Sequence, residues 1–206
     1  MLHGKLHLHA MMGLLPSEAG FGYIGDMKLI IASDIHGSAP QTEKLLDVFQ
    51  KSGAEKLVLL GDILYHGPRN DLPEGYNPKK VISLLNPMRN RILSVRGNCE
   101  AEVDQMVLEF PVLADYAVLV VDGLTIYLTH GHRYNAEHML PMGKGELLLH
   151  GHTHIPGIWH VGEHTILNPG SISIPKGGFK PSYMRYEDRR FSIRTFEGEE
   201  LFSYQA

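Results

Sequence analysis

Asp34 and His36 stand two residues apart in Ser33-Asp34-Ile35-His36-Gly37, directly after the apolar run Leu29–Ala32. Carboxylate oxygens and imidazole nitrogens are donors that divalent metals accept. If the strand continued, residues i and i+2 would share a face, and both side chains could point at one ion. Gly37 then permits a tight turn. Similar donor-bearing segments recur at Gly61-Asp62, Gly97-Asn98, Thr129-His130-Gly131 and Gly151-His152-Thr153-His154. Each follows a short run rich in Val, Ile and Leu. Taken singly, most have an ordinary reading. An Asp-x-His pair recurs by chance. Asp62 suits a turn that satisfies nearby backbone N–H groups, Asn98 a left-handed turn, and His130 a half-buried position. Two alternating histidines beside Gly151 are harder to place in a core. Jointly, the seven donors mark the C-terminal ends of strands, where open α/β sheets gather their ligands.

The elements that must position these donors read as follows. Leu29–Ala32 is a continuous apolar run, as in a strand buried on both faces. A helix opens at Pro40, carries Leu45, Leu46 and Phe49 at helical spacing, and stops at Gly53. Leu57–Leu60 is the next strand, and the stretch from His66 to Asn77 is a loop rich in turn residues. Asn77 caps a second helix at Pro78, with Val81, Ile82 and Leu85 on its buried face. Ile92–Val95 is a third strand. Alternating strands and helices imply parallel pairing with helical crossovers. The second half is β-rich. Val118–Val121 and Thr125–Leu128 flank Asp122-Gly123, a strong hairpin signal. Leu147–Leu149 is a buried strand. Ile158–Val161 and Thr165–Leu167 flank Gly162-Glu163, and Ser182–Tyr186 and Phe191–Phe196 flank a polar turn at Asp188–Arg190. Two sheets packed face to face with helices outside are expected.

Composition narrows the class. A chain of 206 residues favours one domain. With 43% hydrophobic and 20% charged residues it matches an ordinary globular protein. The net charge of −4 and the lack of a Lys/Arg stripe argue against an extended nucleic-acid surface. No apolar run approaches the ~20 residues that span a membrane. The single cysteine, Cys99, excludes an intrachain disulfide and favours a reducing, cytoplasmic setting. The 13 histidines are the outlier. Residues 1–26 show scattered apolar positions and no signal-peptide pattern, and Met27-Lys28 directly precedes the first strand. They are expected to be an extension or leader outside the core, with one domain over 27–206.

At this point the chain resembles the calcineurin-like metallophosphoesterase family, and particularly its small bacterial phosphodiesterase branch, the YfcE type. The resemblance runs from residue 27 to about 204. It rests on the donor order Asp-x-His, Gly-Asp, Gly-Asn, His, Gly-His-x-His. It also rests on the stretch Asp62 to Asn70, on Leu128-Thr129-His130-Gly131-His132, and on Asn168-Pro169-Gly170-Ser171. The resemblance implies an α/β/β/α sandwich of two packed mixed sheets. It implies a dinuclear site with Asp34, His36, Asp62 and His154 on one metal and Asp62, Asn98, His130 and His152 on the other, bridged by Asp62. It favours manganese, with iron, cobalt, nickel and zinc as alternatives.

Two divalent ions ~3.5–4 Å apart can clamp an in-line displacement at phosphorus, with a bridging hydroxide as nucleophile. Four positive metal charges exceed those of Asp34, Asp62 and one hydroxide, so an acidic chain still offers a positive site. The expected activity is a metal-dependent phosphodiesterase acting on a small diester. A phosphomonoesterase, a nuclease or a non-catalytic protein-binding scaffold of the same fold are the alternatives. One departure stands out: many members of the broader family have a His after Gly-Asn, proposed to protonate the leaving oxygen, whereas this chain has Cys99. A thiol is the weaker acid at neutral pH, and His66 and His132 are the candidate substitute donors. Asn98, His66 and Arg69 are candidate substrate contacts. A homo-oligomer would use apolar surface on the second sheet or the Leu113–Val121 region.

Overall fold

The computed structural model describes residues 27–206; the expectation for residues 1–26 lies outside them. Strand β1 is Leu29–Ala32, buried throughout. Helix α1, Ala39–Ser52, has proline in its first turn and ends at Gly53, whose φ of 69° is the left-handed conformation that closes helices cheaply. Strand β2 is Lys56–Leu59. Helix α2, Pro78–Leu85, is capped as expected: the Asn77 side chain accepts the Lys80 N–H at 3.1 Å. A 3-10 turn over Asn86–Arg91 leads into β3, Ile92–Ser94.

A third helix, α3 over Glu102–Val107, was not expected. It has six residues and leaves Val103 and Met106 exposed, so it carries no buried stripe to signal it. The β-rich half then supplies β4 (Tyr116–Val121), β5 (Leu124–Thr129), β6 (Leu147–Leu149), β7 (Gly157–Val161), β8 (His164–Asn168), β9 (Ser182–Glu187) and β10 (Arg190–Thr195). A further edge strand, β11 over Glu200–Gln205, pairs antiparallel with β10.

The strands form a six-stranded sheet, β11-β10-β9-β1-β2-β3, and a five-stranded sheet, β4-β5-β6-β8-β7. In the first, β1, β2 and β3 are parallel and β9, β10 and β11 run antiparallel to their neighbours. In the second, β5, β6 and β8 are parallel, with antiparallel β4 and β7 at the edges. These are the two packed mixed sheets of the expected sandwich. Alternation along β1 divides the core. Ile30 and Ala32 face Leu45, Phe49, Val81 and Leu85 of the helices, while Leu29 and Ile31 face the other sheet through Ile126, Leu128, Leu147, Leu149 and Leu167. Each such buried Leu, Ile, Val or Phe side chain contributes about 1.5–3 kcal/mol relative to exposure.

Among the described residues the helices all precede residue 108, and α1 and α2 pack on the six-stranded sheet. The connection over 130–146 is irregular, held by Leu140, which is buried, and interrupted by Pro141, Gly143 and Gly145. Edge strand β4 leaves Tyr116, Val118 and Val120 exposed on one face. No helix of the described residues is long and apolar enough to cross a membrane.

Candidate metal centre

The parallel strands β1, β2 and β3 of one sheet and β5 and β6 of the other end on a common edge, and the seven donors follow those ends. His130 comes immediately after β5, and the others lie in the loops. The strand does not continue through Asp34 and His36. Instead, Asp34 (φ 57°), His36 (φ 47°), Asp62 (φ 54°), His152 (φ 66°) and His154 (φ 61°) are left-handed. Such conformations cost side-chain-bearing residues ~1–3 kcal/mol each and persist where the surroundings over-determine them. Asn98 is not left-handed. Glycines let the loops touch: a Cβ at Gly97 would collide with Asp62 Oδ1, and one at Gly151 with Ser33 Oγ.

The donors converge. His154 Nε2 lies 3.2 Å, His36 Nε2 3.6 Å and His130 Nε2 4.0 Å from Asp34 Oδ1. That oxygen is buried with no hydrogen-bond partner. Asp62 Oδ2 sits between His130 Nε2 at 3.4 Å and His36 Nε2 at 3.6 Å. Asp62 Oδ1 is turned away, accepting the Cys99 N–H at 2.9 Å. His130 Nε2 is 3.1 Å from Asn98 Oδ1 and 3.2 Å from His152 Nδ1.

The far ring nitrogens fix what these atoms are. His36, His130 and His154 each turn Nδ1 to a carbonyl, of Tyr65 (2.8 Å), Leu60 (2.7 Å) and Ile174 (2.6 Å). Nδ1 must donate there, which aims the Nε2 lone pair at the cluster. His36 Nε2 and His154 Nε2 then face one another at 3.3 Å across Asp34. Lone pairs and carboxylate oxygens crowded in this way need cations between them. The residues fit divalent metal: Asp34, His36 and His154 form one close group, Asp34, Asp62 and His130 a second, and His36, Asp62 and Cys99 a third, so Asp34 and Asp62 each belong to two.

Without metal, protons take that place. Burial alone would raise Asp34, but the His154 and His36 imidazoles beside it outweigh that and hold the carboxyl well below its usual range. Asp62 is likewise lowered, burial being outweighed by His130. Burial opposes a charge on His130, yet Asp62 and Asp34 push it up to about 9. His36 is raised in the same way by Asp34. His152, desolvated and beside His130, falls to about 4.

Supporting residues hold the loops. Glu100 is buried; its carboxylate accepts the Asp62 N–H at 2.9 Å, the Ile63 N–H at 2.7 Å and the Gly97 N–H. Burial, then repulsion from Asp62, pushes it up to about 7. Ser171 and Ser173 hydroxyls donate to the Asp34 carbonyl at 2.9 and 2.8 Å. The Asn168 amide donates to the Gly151 carbonyl at 2.8 Å. The stretch from Asn168 to Ser171 therefore ties the Asp34 turn to the Gly-His-x-His turn.

A cleft of about 290 Å³ opens over the cluster, lined by Asp62, Arg69, Asn70, Asn98, His152, His154 and Lys176. Arg69 thus lines the cleft. Lys176 and Asn70 were missed, as was Glu100. The only local signals were their places, just beyond Asn168-Pro169-Gly170-Ser171, beside Arg69, and directly after Asn98-Cys99. The His66 ring packs edge-on against Tyr65 and Tyr76 and does not line this cleft. His132 lies beside His130 and His152, with ring centroids 5.4 and 6.2 Å away. Burial and the His130 charge lower its pKa. Cys99 faces a neighbouring groove with Tyr65 and Tyr76, close to His36 and Asp62. Burial, then Asp62, pushes its thiol far up.

The matches to known proteins agree with this geometry. The calcineurin-like phosphoesterase superfamily domain matches residues 27–189. The chain is 45% identical over 180 residues to the phosphodiesterase YfcE of Escherichia coli, covering 87% of this chain and 98% of that protein. The solved structure of YfcE superposes with a TM-score of 0.85 at 44% identity, covering 87% of this chain and 99% of that one. A phosphodiesterase of Methanocaldococcus jannaschii is 24% identical over 151 residues, 70% of this chain and 83% of that protein. A buried carboxylate–imidazole cluster at the strand ends of this sandwich, with a family match over most of the described residues, places the chain in the calcineurin-like phosphoesterase superfamily.

Proposed function

We propose that the chain is a dinuclear metal-dependent phosphodiesterase, with Asp34, His36, Asp62 and His154 on one ion and Asp62, Asn98, His130 and His152 on the other. The supporting observation is that Asp62 Oδ2 stands between His36 Nε2 and His130 Nε2, where a bridging oxygen must be. Two bound ions, manganese by preference, would supply Lewis acidity at the phosphoryl oxygens and an activated bridging hydroxide for in-line attack. The chain's own residues hold those charges in place: the three Nδ1–carbonyl bonds fix ring tautomers, and Glu100 fixes the turns bearing Asp62 and Asn98. Asn98 lies on the cleft wall and serves the phosphoryl group as well as the metal.

Leaving-oxygen protonation is the weak step. A thiol is a poorer acid than imidazolium at neutral pH; burial, then Asp62, raises Cys99 further, and burial and the His130 charge lower His132. Activated aryl diesters are therefore the best substrates. The diester reading follows the 45% identity to a phosphodiesterase. The single Cys99 fits a cytoplasmic setting, and the exposed row on β4 would carry a homo-oligomer.

The test is metal depletion, reloading with manganese, iron, cobalt, nickel or zinc in turn, and assay on matched aryl mono- and diesters. The reading expects manganese to restore diester hydrolysis with little monoester turnover. Monoester preference would make the chain a phosphomonoesterase, and no turnover with any metal would make it a scaffold.

A further inference from the structure

Two cations on the cleft have no partner among the described residues. Arg69 is the only described arginine whose side chain makes no hydrogen bond or ion pair; the other eight are all engaged. Lys176 has no side-chain partner among the described residues either. Both are exposed and both line the cleft over the cluster. They come from different walls. Arg69 sits on the loop after β2, where the Asn70 amide donates to the His66 carbonyl at 2.8 Å. Lys176 sits on the loop after β8, its N–H bound to the His154 carbonyl at 3.1 Å. Among the described residues the only carboxylate on the cleft wall is Asp62, already engaged by Cys99 and the imidazoles.

Charge decides what such a pair is for. On the dinuclear reading, two divalent ions, Asp34, Asp62 and one hydroxide leave a single net positive charge, which a diester monoanion neutralises. Arg69 and Lys176 are then in excess of what the scissile group requires. We propose that Arg69 and Lys176 form a subsite for a second anionic group on one arm of the substrate. The substrate class is then a phosphodiester bearing a terminal phosphate, to which the guanidinium fork offers paired donors and the ammonium a point charge. The site belongs to the phosphodiesterase reading and extends it.

Binding separates the two. The metal-loaded protein would be titrated calorimetrically with an unreactive dialkylphosphinate, which mimics the diester monoanion, and with the same phosphinate ending in a phosphonate. The expected result is roughly tenfold or more tighter binding of the second compound. That preference should shrink toward unity in the Arg69→Gln, Lys176→Gln double variant. In parallel, kcat/KM for p-nitrophenyl diesters with and without a terminal phosphate should show the same preference, carried by KM. Equal affinity of the natural protein for both phosphinates would overturn the subsite, as would a preference that survives in the double variant. Binding of neither compound, with no diester turnover, would overturn the phosphodiesterase reading and the subsite with it.

Discussion

Among the described residues eight that carry side chains adopt left-handed backbone, and they fall into two regions. Asp122, Asp188 and Arg189 lie in two-residue hairpin loops, β4–β5 and β9–β10. There the strand twist demands the conformation, because type I′ turns need positive φ at both central residues. Asp34, His36, Asp62, His152 and His154 lie instead at the strand ends around the metal cluster, where no hairpin closes. Their conformation is dictated by what the side chains must meet, and Glu100, Ser171, Ser173 and Asn168 hold it. The same dihedral is thus a topological necessity in one region and a strained, functional one in the other.

The largest effect should come from the donor that both metal sets share. Asp62→Ala removes the oxygen between His36 and His130 and should abolish diester hydrolysis while the fold persists. Metal content by mass spectrometry and turnover on an aryl diester check it. Two retained ions with near-normal turnover would show that the left-handed turn at Asp62 is only a turn, like the hairpins.

Next is the support of that turn. Glu100→Ala leaves three buried N–H groups, of Asp62, Ile63 and Gly97, without acceptor. A cost of about 3 kcal/mol is expected at the low end for buried unsatisfied donors. Metal affinity should fall about 10–100-fold, as for other residues that orient ligands. Urea unfolding and metal titration measure both. A stability loss with unchanged metal affinity would mean that the donors hold their geometry unaided.

How far the site could be read beforehand follows from the same contrast. Apolar runs bounded by Gly, Asp and His announced β1, β2, β6 and their donor-bearing ends, because buried parallel strands need nearly uniform apolar sequence. The pairs Asp122-Gly123 and Gly162-Glu163 announced their hairpins through turn chemistry alone. The backbone at Asp34 and His36 was not legible. Period-two logic put both on one face of a strand, whereas the chain leaves the strand at Ala32 and turns each residue separately. That turn is set by partners far away in sequence, Ser171, Ser173 and Gly151. Glu100 and Lys176 were hidden for the same reason: a lone charged residue shows no role until the fold brings its neighbours. α3 has no buried residue and β11 only the half-buried Leu201 and Tyr204, so their periodicity carried little signal.

The third effect concerns protons at the cluster, which have no counterpart in the hairpins. His130 is raised from its ordinary 6.5 to about 9 in the metal-free protein. Its proton stabilises the metal-free fold fully below pH 6.5, and that stabilisation is lost as pH rises through about 9. Metal must displace this proton, and any on His36, so affinity should climb at least about tenfold per pH unit between 7 and 9, then level off. Calorimetry in buffers of differing ionisation enthalpy counts the protons released. No release at pH 7 would remove His130 from the ligand set.

The smallest effect isolates the backbone itself. At Arg189 (φ 59°) an alanine keeps the strained Cβ, while a glycine removes it; both lose the guanidinium bonds to Asp122 and Ala206. The left-handed penalty of about 1–2 kcal/mol, less the extra chain entropy of glycine, should leave Arg189→Gly about 0.5–1 kcal/mol more stable than Arg189→Ala. That is a melting difference of roughly 1–4 °C for a chain of this size, with turnover equal in both. The same pair at His154 (φ 61°) should show the same order of stability in the metal-free protein, although neither variant would hold its metal. If glycine gains nothing over alanine at His154 while it does at Arg189, the loops around the cluster relax when the imidazole is gone. The strain there would then be maintained by the side chain's own bonds to Ile174 and Asp34, and not by the surrounding chain.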